Sequence, residues 1–96
     1  MIYQNVLLTV KQTSDIDGVL ADLREHATLS RAEPGCHRFE VYQSQEDPCT
    51  IFLIEQWADA TAMENHRNAE AVQTIYFPKI IPKVDRTPHP STLIFS

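Results

Sequence analysis

The sequence predicts an α+β domain of element order β-α-β-β-α-β, the ferredoxin-like arrangement. Three observations predict it. Period-two patterning occurs near residues 2–10 and 36–43, and a short apolar run near residues 51–57. An amphipathic helical stripe separates the first of these from the second, and a short polar loop separates the second from the third. A helix-capping residue then follows the third segment directly, opening a second helical region that a proline closes.

The first strand is IYQNVLLTV, Ile2 to Val10. Ile2, Gln4, Val6, Leu8 and Val10 share one face, and Tyr3, Asn5, Leu7 and Thr9 share the other. Both faces carry apolar side chains, so one is expected to pack on helices and the other to meet a second sheet or line a cavity. Ser14 is expected to cap the first helix, with Asp15 and Asp17 favoured by the dipole in its first turn. Ile16, Val19, Leu20, Leu23 and Ala27 then form one apolar stripe. Gly18 costs this helix roughly 1 kcal/mol relative to alanine.

Pro34-Gly35 is a turn signal that stops the chain before the second strand, Cys36 to Gln43. Alternation puts His37, Phe39, Val41 and Gln43 on one face and Cys36, Arg38, Glu40 and Tyr42 on the other. The loop Ser44 to Pro48 leads to the third strand, Ile51 to Trp57. Its first four residues are all apolar, the pattern of a strand buried on both faces. Asp59 offers an N-cap to a helix from Ala60, and Ala58 and Met63 sit at the spacing of a hydrophobic staple across it. A break near Asn68 is expected, then a segment Ala69 to Tyr76 ended by Pro78. Asp85 to Pro90 is read as a loop and Thr92 to Phe95 as a last short strand.

The chain has 96 residues, 43% of them hydrophobic, which fits one domain spanning residues 1–96. Its net charge of −5 comes without a Lys/Arg cluster, against nucleic-acid binding. No apolar run approaches the ~20 residues of a membrane span. No export signal is visible, and Cys36 and Cys49 lack CxxC spacing; a cytoplasmic protein with free thiols is the expectation. His26, His37, His66 and His89 form neither HxH nor HExxH, so no metal site is expected. There is no GxGxxG, P-loop or GxSxG, and the chain holds two glycines in all, which leaves nucleotide cofactors and serine nucleophiles without footing.

Among the candidate functional residues, His66 lies on the helical face with Ala62 and Met63. An imidazole there suits a general base near neutral pH; the plain alternative is a helix-end histidine satisfied by a backbone carbonyl. Trp57 either covers the sheet edge or forms a flat wall against an aromatic substrate. Asn5 is either an exposed strand residue or an amide that orients a substrate oxygen in the pocket.

The run E-P-G-C-x-R-F-E-V, then I-E-Q-W, then Met63 and His66 six and nine residues beyond Trp57, resembles the antibiotic biosynthesis monooxygenase domain. The resemblance implies a dimeric α/β-barrel: a homodimer of face-to-face sheets, each protomer keeping a pocket between its own sheet and helices. It implies a monooxygenase that oxidises a small quinol- or anthrone-like aromatic with dioxygen and no cofactor. His66 would be the base, Asn5 the orienter and Trp57 the wall, with Phe39, Met63 and Tyr76 completing the substrate-binding set. The sequence departs from many relatives after His66, where Arg67, Asn68 and Ala69 replace a second polar group. Tyr76 stands near the position of the ligating histidine in the haem-degrading branch, which disfavours haem chemistry. Two further readings stay open: an isomerase of a small phosphorylated sugar, for which Arg38, Arg67 and Lys79 are available, and a dimeric ligand-binding or stress module without catalysis.

Overall fold

A computed structural model describes residues 1–96. Four antiparallel strands, β1 (Ile2–Val10), β2 (Cys36–Gln43), β3 (Thr50–Trp57) and β4 (Val84–Ser91), form one sheet in the order β2-β3-β1-β4. The helices are α1 (Ile16–Arg31), α2 (Ala60–Arg67) and a π-helix, α3 (Ala71–Ile80). The order and strand pairing are those of the ferredoxin-like fold.

The period-two pattern of β1 sorts its residues as expected. Val6, Leu8 and Val10 meet Val19 and Leu23 of α1 and Ile75 and Ile80 of α3 in the main core, with Ile51 and Leu53 beside them on β3. A smaller cluster of Phe39, Trp57 and Ala62 joins β2, β3 and α2 at the other end of the sheet. Ala58 and Met63, which flank the cap of α2, both pack against this cluster. The Asp59 carboxylate caps α2 by accepting from the Ala62 N–H at 2.8 Å. Gly35 is required by its turn on two grounds. Its φ of 82° is left-handed, and a Cβ there would meet the Ala62 Cβ at 2.6 Å.

Five local expectations are corrected. Ser14 does not cap α1; a 3₁₀ turn over Thr13–Asp15 leads into it, and Asp15 holds the cap position without a side-chain bond. A β-bulge between Cys36 and Arg38 displaces His37 from the face of Phe39 and Val41, leaving it exposed. β3 is buried on one face only in the single chain: Ile51, Leu53 and Trp57 are buried while Phe52 is exposed.

Pro78 lies inside α3 rather than ending it. Pro78 still donates no N–H, but the wider winding of a π-helix moves the i−4 carbonyl away from the ring and so relieves the clash an α-helix would impose. Finally, the last strand is Val84–Ser91, where a loop was expected, and no strand forms at Thr92 to Phe95. Pro88 and Pro90 have the same parity and β4 is an edge strand, so both ring nitrogens can face away from the ladder.

Candidate active site

Between the helix-facing side of the sheet and the helices α2 and α3 lies a cavity of about 670 Å³. β1 contributes Gln4, α1 contributes His26, β3 contributes Glu55, and β4 contributes Arg86, Pro88 and Pro90. Met63 and His66 come from α2, and Val72, Tyr76 and Phe77 from α3. Volume and lining suit a small ligand with an apolar body and a few polar atoms.

His66 is the centre of the polar wall. It is 7% exposed, and its ring lies 4.3 Å from that of Trp57, centroid to centroid. Its Nδ1 is 2.8 Å from Glu33 Oε1 and its Nε2 is 4.0 Å from Glu55 Oε1, so the imidazole stands between two carboxyls. The helix-end alternative, an imidazole satisfied by a backbone carbonyl, is replaced by this carboxyl pairing. Glu33 reaches it from the α1–β2 turn, held there by Pro34-Gly35. Glu55 accepts the indole N–H of Trp57 at 3.0 Å, which orients the carboxyl.

Burial controls the charges. It pushes His66 down to about 4, with Arg67 adding to the effect, and lifts Glu33 to about 7. Glu55 also rises to about 7 through burial, opposed by the Trp57 hydrogen bond and the charge of Arg86. His66 is therefore neutral near pH 7, and the state of Glu33 selects its tautomer. A protonated Glu33 donates to Nδ1 and leaves the proton of the ring on Nε2. An ionised Glu33 accepts Nδ1–H and leaves Nε2 as a free base beside the cavity.

A second imidazole belongs to the same wall. Nδ1 of His26 lies 3.1 Å from the Ala71 carbonyl oxygen, which fixes the N–H there, and the ring stacks on Tyr76 at 4.8 Å. Burial lowers this histidine too, to about 4. The Tyr76 hydroxyl accepts from Arg86 Nε at 2.9 Å. The histidines and carboxyls do not converge on a point able to hold a metal ion.

The structure brings His66, Met63 and Tyr76 together on this cavity and removes three other residues from its surface. Trp57 is fully buried behind His66 and holds it from the back rather than walling the ligand. Phe39 lies in the same layer, edge-on to His26 at 5.3 Å. Asn5 is on the opposite face of the sheet, where its amide donates to the Ser91 hydroxyl at 2.9 Å. The reason is parity: Gln4, its neighbour, is the amide that β1 presents to the cavity.

Gln4, His26, Glu33, Glu55 and Arg86 were missed by sequence reasoning. A signal existed for Glu55, a carboxylate inside an apolar strand that ends in tryptophan. A histidine in register with Val19 and Leu23 was a signal for His26. Nothing local marked Arg86, since its segment reads as a proline-rich loop.

Comparisons with known proteins agree with this architecture. The family profile described as antibiotic biosynthesis monooxygenase matches residues 1–76. A crystal structure of an antibiotic biosynthesis monooxygenase is similar with a TM-score of 0.85 and 26% identity, covering 96% of this chain and 98% of that one. A protein from Pseudomonas aeruginosa has a TM-score of 0.83 at 22% identity, covering 98% and 95% of the two chains. One from Nitrosomonas europaea, named for the same family, has a TM-score of 0.85 at 19% identity over 97% and 99%. The last two likenesses concern the fold alone. No curated protein matches the chain in sequence. With more than half of its length matched by that profile, the chain belongs to the antibiotic biosynthesis monooxygenase family.

Proposed function

We propose that this protein is a monooxygenase that oxidises a small electron-rich aromatic, a quinol or anthrone, with dioxygen and without a metal, flavin or haem. The observation that carries the reading is a neutral His66 held at Nδ1 by Glu33, with Nε2 beside a cavity of aromatic size. An anthrone would lose a C–H proton to Nε2, giving a carbanion conjugated with the ring oxygen. That anion is electron-rich enough to reduce dioxygen itself. One oxygen atom bonds to the carbon, and loss of the second C–H proton with cleavage of the O–O bond yields the carbonyl and water. The substrate supplies all the electrons. The protein supplies a base, a slot that excludes water and neutral polar contacts from Gln4 and His26.

Oxygen uptake in an electrode tests this directly. Consumption of one dioxygen per anthrone oxidised, above the rate without protein, is expected. No acceleration with any quinol or anthrone, set beside tight binding of the same compounds, would instead favour a ligand-binding module. Because the base tautomer forms as Glu33 ionises, turnover should rise with pH through about 7.

The same proposal includes a homodimer closed through the open sheet face. Tyr3, Leu7 and Ile54 lie only partly covered on that face beside exposed Tyr42 and Phe52, and the tail residues Ile94 and Phe95 are 89% and 91% exposed. An apolar surface of this kind favours burial against a second copy. Sedimentation is expected to give a dimer at micromolar concentration, with more than ~1,200 Å² buried in total; a monomer would remove this part of the reading.

A further inference from the structure

We propose that the cavity selects an anionic aromatic, a hydroxyarene carrying a carboxylate, and that Arg86 reads that charge. The inference rests on the cavity being the substrate site. Arg86 lies on the edge strand β4 at the cavity wall, and its Nε–H is committed to the Tyr76 hydroxyl at 2.9 Å. Its guanidinium carbon is 5.9 Å from the centre of the Tyr76 ring, which is in turn fixed by stacking on His26. One hydrogen bond and one ring contact thus orient an otherwise exposed side chain, and no carboxylate of the chain lies in ion-pair contact with it.

The other relevant arginines differ. Arg67, also on the cavity, pairs with Glu64 at 3.1 Å. Arg38 pairs with Glu40 at 2.7 Å and lies on the other face of the sheet. In a chain of net charge −5, an oriented guanidinium without a carboxylate in ion-pair contact stands out on a cavity wall whose neighbours Phe77, Ile81, Pro88 and Pro90 are apolar, and Glu55, the carboxyl that feels its charge, is kept protonated up to about 7 by burial. An aromatic ring would lie along those apolar groups with its acid on the arginine fork.

A carboxylate fits better than a phosphate. The fork is planar and matches a planar carboxylate. The site has one cation without a carboxylate in ion-pair contact, and an ionised Glu55 on the same wall would repel a dianion more strongly than a monoanion. With the acid at Arg86, the ring and its hydroxyl extend towards the His66 side of the cavity.

The test is calorimetric binding of three probes: a dihydroxybenzoate, its uncharged methyl ester and phenyl phosphate. The acid should bind at least ten-fold more tightly than the ester, the scale of one charge-assisted hydrogen bond. Arg86→Met should erase that difference, Arg86→Lys, which keeps charge without the fork, should shrink it, and Arg67→Gln should preserve it. Equal binding of acid and ester overturns the proposal. So does a preference that survives in Arg86→Met, tighter binding of phenyl phosphate than of the acid, or no binding of any probe. Oxygen uptake separates this from the parent reading. Turnover of a neutral quinol without preference for the acid removes the role of Arg86 and leaves the monooxygenase. Selective binding of the acid with no turnover of any phenol does the reverse.

Discussion

Replacing His66 by glutamine is expected to lower turnover of an anthrone or quinol by ~10²-fold or more, the usual scale for a positioned acid–base group. Glutamine is the informative change because His66 is buried between Trp57 and Glu33. Alanine there would leave a cavity and an unpartnered carboxyl, and lost activity would be confused with lost packing. A glutamine side chain can still donate to Glu33, yet it cannot take a proton at neutral pH. Steady-state kinetics should show the loss in kcat, with KM changed little, since the imidazole is asked to act in the proton step rather than in holding the ring. Unchanged kcat in a folded His66→Gln protein would remove the catalytic role. Glu33→Gln gives a finer reading of the same unit, because it keeps an acceptor for Nδ1–H while abolishing the titration that selects the tautomer; the rise of turnover through pH about 7 should then flatten.

Glu55→Gln is expected to stabilise the protein above pH 7, by up to about 3 kcal/mol at pH 8. Burial raises Glu55 from 4.5 to about 7, and Glu33 moves the same way. Between those values the folded chain keeps protons that the unfolded chain has released, so these two groups make stability fall as pH rises through that window. His26 and His66 are lowered from 6.5 to about 4, so the folded chain binds fewer protons than the unfolded chain between those values. Their contribution is lost as pH falls from 6.5 towards 4. The two windows overlap and have opposite sign, which predicts a broad plateau near pH 4.5 to 6.5. Removing Glu55 tilts the plateau so that stability increases with pH. Urea unfolding at several pH values reads this out, and the glutamine carbonyl can still accept from the Trp57 indole. A profile parallel to that of the parent protein would mean that the Glu55 carboxyl is solvated when folded.

The sequence by itself determined the element order and most of the core. Period-two patterning set the faces of β1, a short apolar run marked β3 without saying which of its faces is covered, helical spacing set the stripe of α1, and the Asp59 cap set the start of α2, because each of these signals is local. It also determined that His66 would sit on an apolar helix face near Met63. Only the tertiary structure decided what His66 meets. Glu33 lies 33 residues away in sequence and Ala71, which fixes His26, lies 45 from its partner. Contacts at such separations leave no spacing rule behind them. The side of the sheet taken by each candidate was decided the same way. Alternation tells which residues share a face but not which face receives the helices when both are apolar, so Asn5 was chosen and Gln4 passed over. β4 was hidden for a different reason. Pro88 and Pro90 read as loop residues to any local rule, and only the place of that segment at the sheet edge, where one row of N–H groups has no partner, makes them compatible with a strand. With β4 hidden, Arg86 was hidden too, and with it the one positive charge on the cavity wall that has no carboxylate in ion-pair contact.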